Sequence, residues 1–101
     1  MTEAAPADDG AFVVDDSDWR FAGALTFDDA ARVFAAARAV ALPARGVIDF
    51  SGMTHADSSA LAIMIALKRR AAAEGRALSI EGVPASLRSL AVVYGVENLL
   101  D

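Results

Sequence analysis

Cysteine is absent from this sequence of 101 residues, and histidine occurs once. Without cysteine there is no disulfide framework and no thiolate metal site, and the chain suits a reducing compartment. One histidine, with no carboxylates clustered at ligand spacing, leaves no other metal site. We therefore expect neither a metal nor a cofactor.

Long apolar runs and an amino-terminal targeting signal are also missing. The longest apolar run, residues 60–67, is far shorter than the roughly 20 residues that span a bilayer. The first nine residues carry acids and no basic segment followed by an apolar one, unlike a secretory or transit peptide. These absences favour a cytoplasmic protein that does not insert into a membrane.

Basic residues are few and scattered. The net charge is −5 and the sequence pI is about 4.6, whereas a nucleic-acid reader needs a concentrated basic face. The one basic triplet, residues 68–70, is interpreted most simply as the solvated side of a helix, and alternatively as a salt link to an acidic partner surface. No glycine-rich phosphate-binding loop ending in Lys-Ser or Lys-Thr is present. Nucleic-acid binding and nucleotide hydrolysis by this chain are therefore disfavoured.

Hydrophobic residues make up 55% of the chain, enough for one globular domain. We assign residues 1–10 to a flexible tail and residues 11–101 to that domain. Two runs, residues 11–14 and 19–25, flank an Asp- and Ser-rich turn and predict a β-hairpin.

A first helix is predicted after this hairpin. Thr26 is the expected N-cap, and Pro43 ends the segment. Its predicted apolar stripe comprises Phe27, Ala30, Phe34, Ala37 and Ala41.

The second half of the chain alternates strands with helices. Residues 46–50 predict a central strand, followed by a loop at 51–56 and a helix over about 57–74 that Gly75 ends. Residues 77–80 predict another strand, and a last helix begins at Pro84 and ends at Gly95. Its expected core stripe is Leu87, Leu90, Ala91 and Tyr94. The pattern predicts an α/β fold, a four-stranded, mostly mixed β-sheet with three to four helices packed against it.

The segment between the central strand and the second helix is the candidate functional site, because such loops often present functional groups in α/β sheets. With Asp57 as N-cap, Ser58 and Ser59 occupy the first helical positions, where the helix dipole favours an anion. The alternative is that these residues only cap the helix. The sequence chemistry leaves both interpretations open.

Two further alternatives concern this segment. His55, Asp57 and Ser58 are the residue types of a hydrolase triad, but three residues of one short loop do not supply triad geometry; His55 is interpreted as an ordinary loop residue. The following residues, 61–67, are apolar all round the helix. Either part of this apolar surface is exposed near Ser58 as a contact site, or neighbouring helices bury it completely.

The chain resembles the STAS family, the domain shared by sulphate transporters and anti-sigma factor antagonists. The resemblance spans about residues 12–100. The family pattern, an apolar strand ending in Asp, a short loop, then Asp-Ser/Thr-Ser/Ala/Gly-Gly-Leu opening a helix, stands here as Val47-Ile48-Asp49-Phe50-Ser51 and Asp57-Ser58-Ser59-Ala60-Leu61. Ala60 departs from the usual Gly of the family.

Within the family, residues 23–28, 61–62 and 87–94 resemble the MlaB-like branch. The resemblance implies a non-enzymatic subunit, peripheral to the inner membrane, that docks on the ATPase of an Mla-type ABC phospholipid transporter with its permease. Such a subunit supports assembly or activity of the complex and thereby outer-membrane lipid asymmetry. The implied partner-binding or regulatory residues are Thr54, His55, Asp57, Ser58, Ser59, Leu61 and Ala62.

The alternative within the family is an anti-sigma factor antagonist switched by phosphorylation of Ser58. It uses the same fold and the same segment, and it requires a partner kinase. We expect the methyl group of Ala60 to lie where a kinase or a partner backbone would approach closely, which weighs against phosphorylation more than against docking.

Overall fold

A computed structural model describes residues 10–15 and 17–100 of the chain. Residues 1–9, most of the expected tail, lie outside the described residues. The elements, in chain order, are β1 (Ala11–Val14), β2 (Asp18–Leu25), α1 (Phe27–Arg38), β3 (Val47–Ala56), α2 (Ser58–Ala73), β4 (Ser79–Glu81), α3 (Ala85–Val93) and a C-terminal 3₁₀ helix (Glu97–Leu100).

The four strands form one mixed sheet in the order β1-β2-β3-β4. β1 and β2 are antiparallel, with Val13 opposite Arg20, whereas β2–β3 and β3–β4 are parallel. The parallel pairs require crossover connections, which α1 and α2 provide. The predicted α/β fold, with a mixed four-stranded sheet and its helices, is confirmed.

β3 is longer than the sequence suggested. Residues 51–56 were expected to form a loop, but the strand continues to Ala56. The cause is β2, which runs alongside this segment and pairs Gly23 with Met53 and Leu25 with Ala56 across two register shifts. The candidate segment is therefore the end of a strand rather than a loop. β4 is also displaced, to Ser79–Glu81 from the expected 77–80.

The helices cover one face of the sheet. Trp19, Phe21 and Leu25 of β2 are buried while the alternating Arg20 and Ala22 are exposed, as expected for a strand with one covered face. The buried residues of β2, β3 and the three α-helices form one core cluster.

α1 begins as predicted but ends earlier. Thr26 is its N-cap, and the last helical residue is Arg38, so Ala41 is not part of the helix. Only Val33 and Ala37 of α1 are buried, whereas the side chain of Phe27 is 72% exposed. The expected assignment of Phe27 to the core stripe is wrong, because only the N-cap Thr26 separates the first turn of α1 from the last residue of β2, so that this turn lies at the rim of the sheet.

α2 fills the centre of the helical layer. Its seven buried residues are Ser59, Ala60, Leu61, Ile63, Met64, Leu67 and Ala71. α1, α3 and the 3₁₀ helix all contact it, which explains why apolar residues surround its axis. Burial by neighbouring helices therefore accounts for most of this apolar run, and Ala62 is its one exposed member.

The basic triplet at the end of α2 is not simply solvated. Lys68 donates to the carbonyl of Leu78 at 3.0 Å, and Arg70 donates to the carbonyls of Ala37 and Val40 at 3.1 and 2.7 Å. Arg76 similarly donates to the carbonyls of Leu42, Pro43 and Ala44. Arg70 and Arg76 therefore stabilise the segment between α1 and β3 by binding its main-chain carbonyls.

α3 is shorter than predicted and its stripe is narrower. Leu87 and Ala91 are buried, while Leu90 is half-buried against the core. Tyr94 lies just past the last helical residue and is 57% exposed, so its expected place in the core is wrong. Gly95, at φ 71°, follows as the sequence indicated.

Candidate docking surface

Asp57 joins the amino-terminal ends of two helices. Its Oδ1 accepts hydrogen bonds from the N–H of Ser59, at 2.9 Å, and from the Ser59 hydroxyl. Its Oδ2 accepts from the N–H of Phe27, the first residue of α1, at 3.0 Å. One carboxylate thus satisfies N–H groups that each helix leaves open. The role of Asp57 as N-cap of α2 is confirmed, and its bond to α1 is new.

These donors also determine the ionisation of Asp57. Burial alone would raise the pKa of its carboxyl group. The Ser59 hydroxyl, the Phe27 N–H and the Ser59 N–H together outweigh that effect and hold the pKa below its ordinary value. Asp57 is therefore a carboxylate at neutral pH.

α1 and α2 run parallel and side by side. At one end Asp57 connects Phe27 to the start of α2, and at the other end Arg70 of α2 reaches the carbonyl of Ala37 near the end of α1. The start of α1 is fixed separately by Asp29, whose Oδ2 accepts from the N–H and the hydroxyl of Thr26. The two helix starts therefore form one rigid corner beside the end of β3.

Four exposed residues and one half-buried residue lie at this corner, which we call the helix-tip surface; it comprises Phe27, Thr54, His55, Ser58 and Ala62. Ser58 is half-buried at the first position of α2, and Ala62 is exposed one turn later. Thr54 and His55 are exposed near the end of β3, with Nδ1 of His55 3.3 Å from the Thr54 hydroxyl.

Two predicted site residues lie beneath this surface. Ser59 is 7% exposed and bonded to Asp57, and Leu61 is 3% exposed in the core. Neither side chain is available at the surface, because the Ser59 hydroxyl is bonded to Asp57 and Leu61 packs in the core cluster. They hold α2 in place, and any part in partner binding is indirect.

The geometry bears on two of the functions considered for this segment, an anion site and a hydrolase triad. An incoming anion would compete with Asp57, because the Ser59 and Phe27 N–H groups already donate to its carboxylate. The same carboxylate faces helix N–H groups, and the contact found for His55 is with Thr54. Asp57, Ser58 and His55 are therefore arranged for helix capping and surface display.

Among the described residues there is neither a metal-ligating cluster nor a helix that could span a membrane. Within residues 10–15 and 17–100, no group of three or more His, Cys, Asp or Glu side chains is placed to hold a metal ion. Across the same ranges, none of the helices combines the length and the apolar character that crossing a membrane would need.

Comparison with known proteins decides the family. The sequence profile of the family described as "Mlab, STAS domain" matches residues 3–101. The chain is a STAS domain of the MlaB type. A comparison with curated proteins gives no match. In this STAS domain the Asp57-to-Leu61 motif lies at the junction of β3 and α2, and Ala60, in place of the usual glycine, is fully buried. The expectation that its methyl group lies where a kinase or a partner approaches is therefore wrong, because the side chain points into the core.

Phe27 is the surface residue that sequence reasoning missed. Its spacing from Ala30 and Phe34 matches a core stripe, which is why it was assigned to the interior. The available signal was its position directly after the N-cap Thr26, where a side chain lies at the end of the helix and outside the sheet it packs on. This large exposed aromatic, whose N–H is bonded to Asp57, is the strongest apolar feature of the helix-tip surface.

Proposed function

We propose that this STAS domain is a non-enzymatic, cytoplasmic subunit that docks through the helix-tip surface on the ATPase of an Mla-type ABC phospholipid transporter. It would lie peripheral to the inner membrane through that complex and support its assembly or activity, and so contribute to outer-membrane lipid asymmetry. The family match supports the transporter assignment. The observation that carries the docking surface is the 72% exposure of Phe27, whose N–H is bonded to the residue before Ser58.

The chemistry of the helix-tip surface suits a protein contact. An exposed aromatic ring provides a large apolar area at small entropic cost, and aromatic residues are enriched at interface hot spots. Ser58 and Ala62 are small, so a partner backbone approaches α2 closely beside that ring. The corner is rigid because Asp57 ties both helices, which reduces the ordering cost of binding.

The first experiment is affinity purification of the chain from its native cells under mild detergent. We expect an ABC ATPase together with its permease. Recovery of a small kinase-like protein without a transporter would instead favour the antagonist function with phosphorylation of Ser58.

The second experiment measures binding of the purified ATPase to point variants. Ser58→Glu places a charge in a desolvated contact and should weaken binding at least about tenfold. Ser86→Glu is the matched control, because Ser86 is an exposed serine in the first turn of α3. Equal affinities for the two variants would show that Ser58 does not lie in the interface.

Phe27→Ala and Tyr94→Ala form a second matched pair, since both rings are more than half exposed. Loss of the Phe27 ring should lower the affinity about tenfold or more, as expected for a hot-spot aromatic. Loss of the Tyr94 ring, at the far end of α3, should leave it unchanged. The opposite ranking would place the contact elsewhere on the domain.

A further inference from the structure

The outer edge of β1 carries unpaired backbone groups. β1 is the first strand of the sheet and β2 is its one neighbour among the described strands. Across the hairpin, the N–H of Asp15 donates to the carbonyl of Asp18 at 3.1 Å. Because the backbone groups alternate in direction along an antiparallel strand, the N–H and C=O of Val13 also point toward β2. The N–H and C=O of Phe12 and Val14 therefore point away from the sheet.

β1 lacks the features that usually prevent edge-to-edge pairing. Its sequence, Ala-Phe-Val-Val, contains neither a charged residue nor proline. Val13 and Val14 are 52% and 43% exposed. At the opposite edge of the sheet, β4 has three residues and includes the exposed Glu81. The two edges are therefore not equivalent, and β1 is the one open to a further strand.

An apolar groove of about 200 Å³ runs between β1 and α1 along this edge. Phe12 and Val14 line one wall, and Val33, Ala36 and Val40 line the other. A strand added to β1 would direct alternate side chains into this groove, as in recognition by strand addition. The edge therefore offers both main-chain hydrogen bonds and an apolar site.

The charges at the two ends of the groove are opposite. Arg32 and Ala11 both line the groove toward the end where β1 begins; Arg32 is paired with Asp29 at 3.2 Å, and its side chain remains 50% exposed, which leaves room for a second carboxylate. Asp15 lies at the end where β1 finishes, beside Val14 and Val40. A second copy related by a two-fold axis perpendicular to the sheet runs antiparallel, so its Asp15 would lie toward Arg32 of the first copy, and the reverse.

We propose that two copies of this chain associate through antiparallel pairing of their β1 strands. In this register Val13 of one copy lies opposite Val13 of the other. In that register Phe12 of one copy and Val14 of the other exchange N–H···O=C bonds, four in all across the two-fold axis. The result is a continuous sheet of eight strands with all helices on the same face. The helix-tip surface lies at the end of the α1–α2 pair and stays accessible.

The interface is small, because four strand residues and one helix side contribute from each copy. We therefore expect a dissociation constant between about 10 µM and 500 µM, weaker than for interfaces of standard size. Sedimentation of the full chain from about 5 µM to about 1 mM should show a shift from monomer to dimer. A monomer over this whole range would overturn the proposal and leave the edge to a strand from a different protein.

Two substitutions at Val14 test the pairing itself. Val14→Pro removes an outward N–H that β2 does not use, and Val14→Lys places a charge in the groove. Each should raise the dimer dissociation constant at least about tenfold, or 1.4 kcal/mol. Val92→Lys, at a valine of α3 that is 61% exposed, is the matched control and should leave the dimer unchanged. Dimers that survive both Val14 substitutions, or that Val92→Lys abolishes, would overturn the proposal.

A single cysteine tests the register. The chain has no cysteine, so Val13→Cys introduces one thiol per copy. Residues opposite each other in a non-hydrogen-bonded antiparallel pair have Cα atoms about 4.5 Å apart, within the range of about 4.4–6.8 Å that a disulfide accepts. Mild oxidation should cross-link Val13→Cys far faster than Val92→Cys at equal concentration. Equal cross-linking of the two variants would rule out this register.

Discussion

Replacing Asp57 with alanine removes the acceptor of three donors at once, the N–H and hydroxyl of Ser59 and the N–H of Phe27. Loss of an N-cap costs about 0.5–2 kcal/mol, and a hydrogen bond to a charged group contributes about 1.5–3 kcal/mol. Water replaces part of the Phe27 contact because this donor lies at the surface. We therefore expect the free energy of unfolding to fall by about 2 kcal/mol in total.

For a domain of this size, a loss of that magnitude lowers the melting temperature by about 8–16 °C. Urea unfolding followed by the fluorescence of Trp19, the one tryptophan of the chain and a fully buried one, measures the change directly. Asp28→Ala is the matched control, because Asp28 is an exposed acid in the first turn of α1 and contributes about 0.3–1 kcal/mol through the helix dipole.

The comparison of these two variants tests whether Asp57 stabilises the fold by joining α1 to α2. If Asp57→Ala destabilises the domain no more than Asp28→Ala does, then solvent replaces the carboxylate without loss. Asp57 would in that case not join α1 to α2, and the rigidity of the helix-tip surface would need another source.

Two other measurements address pH and core packing. Because the pKa of Asp57 is lowered in the fold, its charge contributes stability fully above the unfolded-state pKa of about 3.9, and that contribution disappears as the pH falls through the lower folded-state value. The stability difference between the natural chain and Asp57→Asn in urea should therefore close as the pH falls below about 4; a constant difference would contradict a role for the charge. Leu87→Ala, at a residue 2% exposed, should cost about 2–5 kcal/mol, and Leu90→Ala, at a half-buried one, about 1–2 kcal/mol. Equal losses in thermal or urea unfolding would contradict the burial of the two residues.

Local patterns in the sequence were sufficient for the element order and the sheet. The hairpin, the N-caps Thr26 and Asp57, and the terminating Gly75 all depend on residues close together in the chain. Such signals are physically local, because a cap bonds to an N–H two or three residues away. The family motif then located the helix-tip surface.

What the sequence did not predict depends on distant contacts. The extension of β3 to Ala56 arises from pairing with β2, some 30 residues earlier in the chain, and Ser-Gly-Met-Thr-His alone does not favour a strand. The exposure of Phe27 and Tyr94 depends on where the sheet ends beneath each helix. The bond from Phe27 to Asp57 joins residues 30 positions apart, and periodicity carries no information about it.

Arg70 and Arg76 have a consequence for how the sequence of this domain is free to change. Arg70 binds the carbonyl of Val40, and Arg76 binds carbonyls of residues 42–44, all main-chain groups of the segment between α1 and β3. The exposed positions 41 and 44 of that segment therefore accept other residues without loss of these contacts. The two arginines are not replaceable in the same way. A planar guanidinium reaches several carbonyls at once, which the single ammonium group of lysine does not. The path of the main chain between α1 and β3 thus depends on two arginines outside that segment, one in α2 and one just after it.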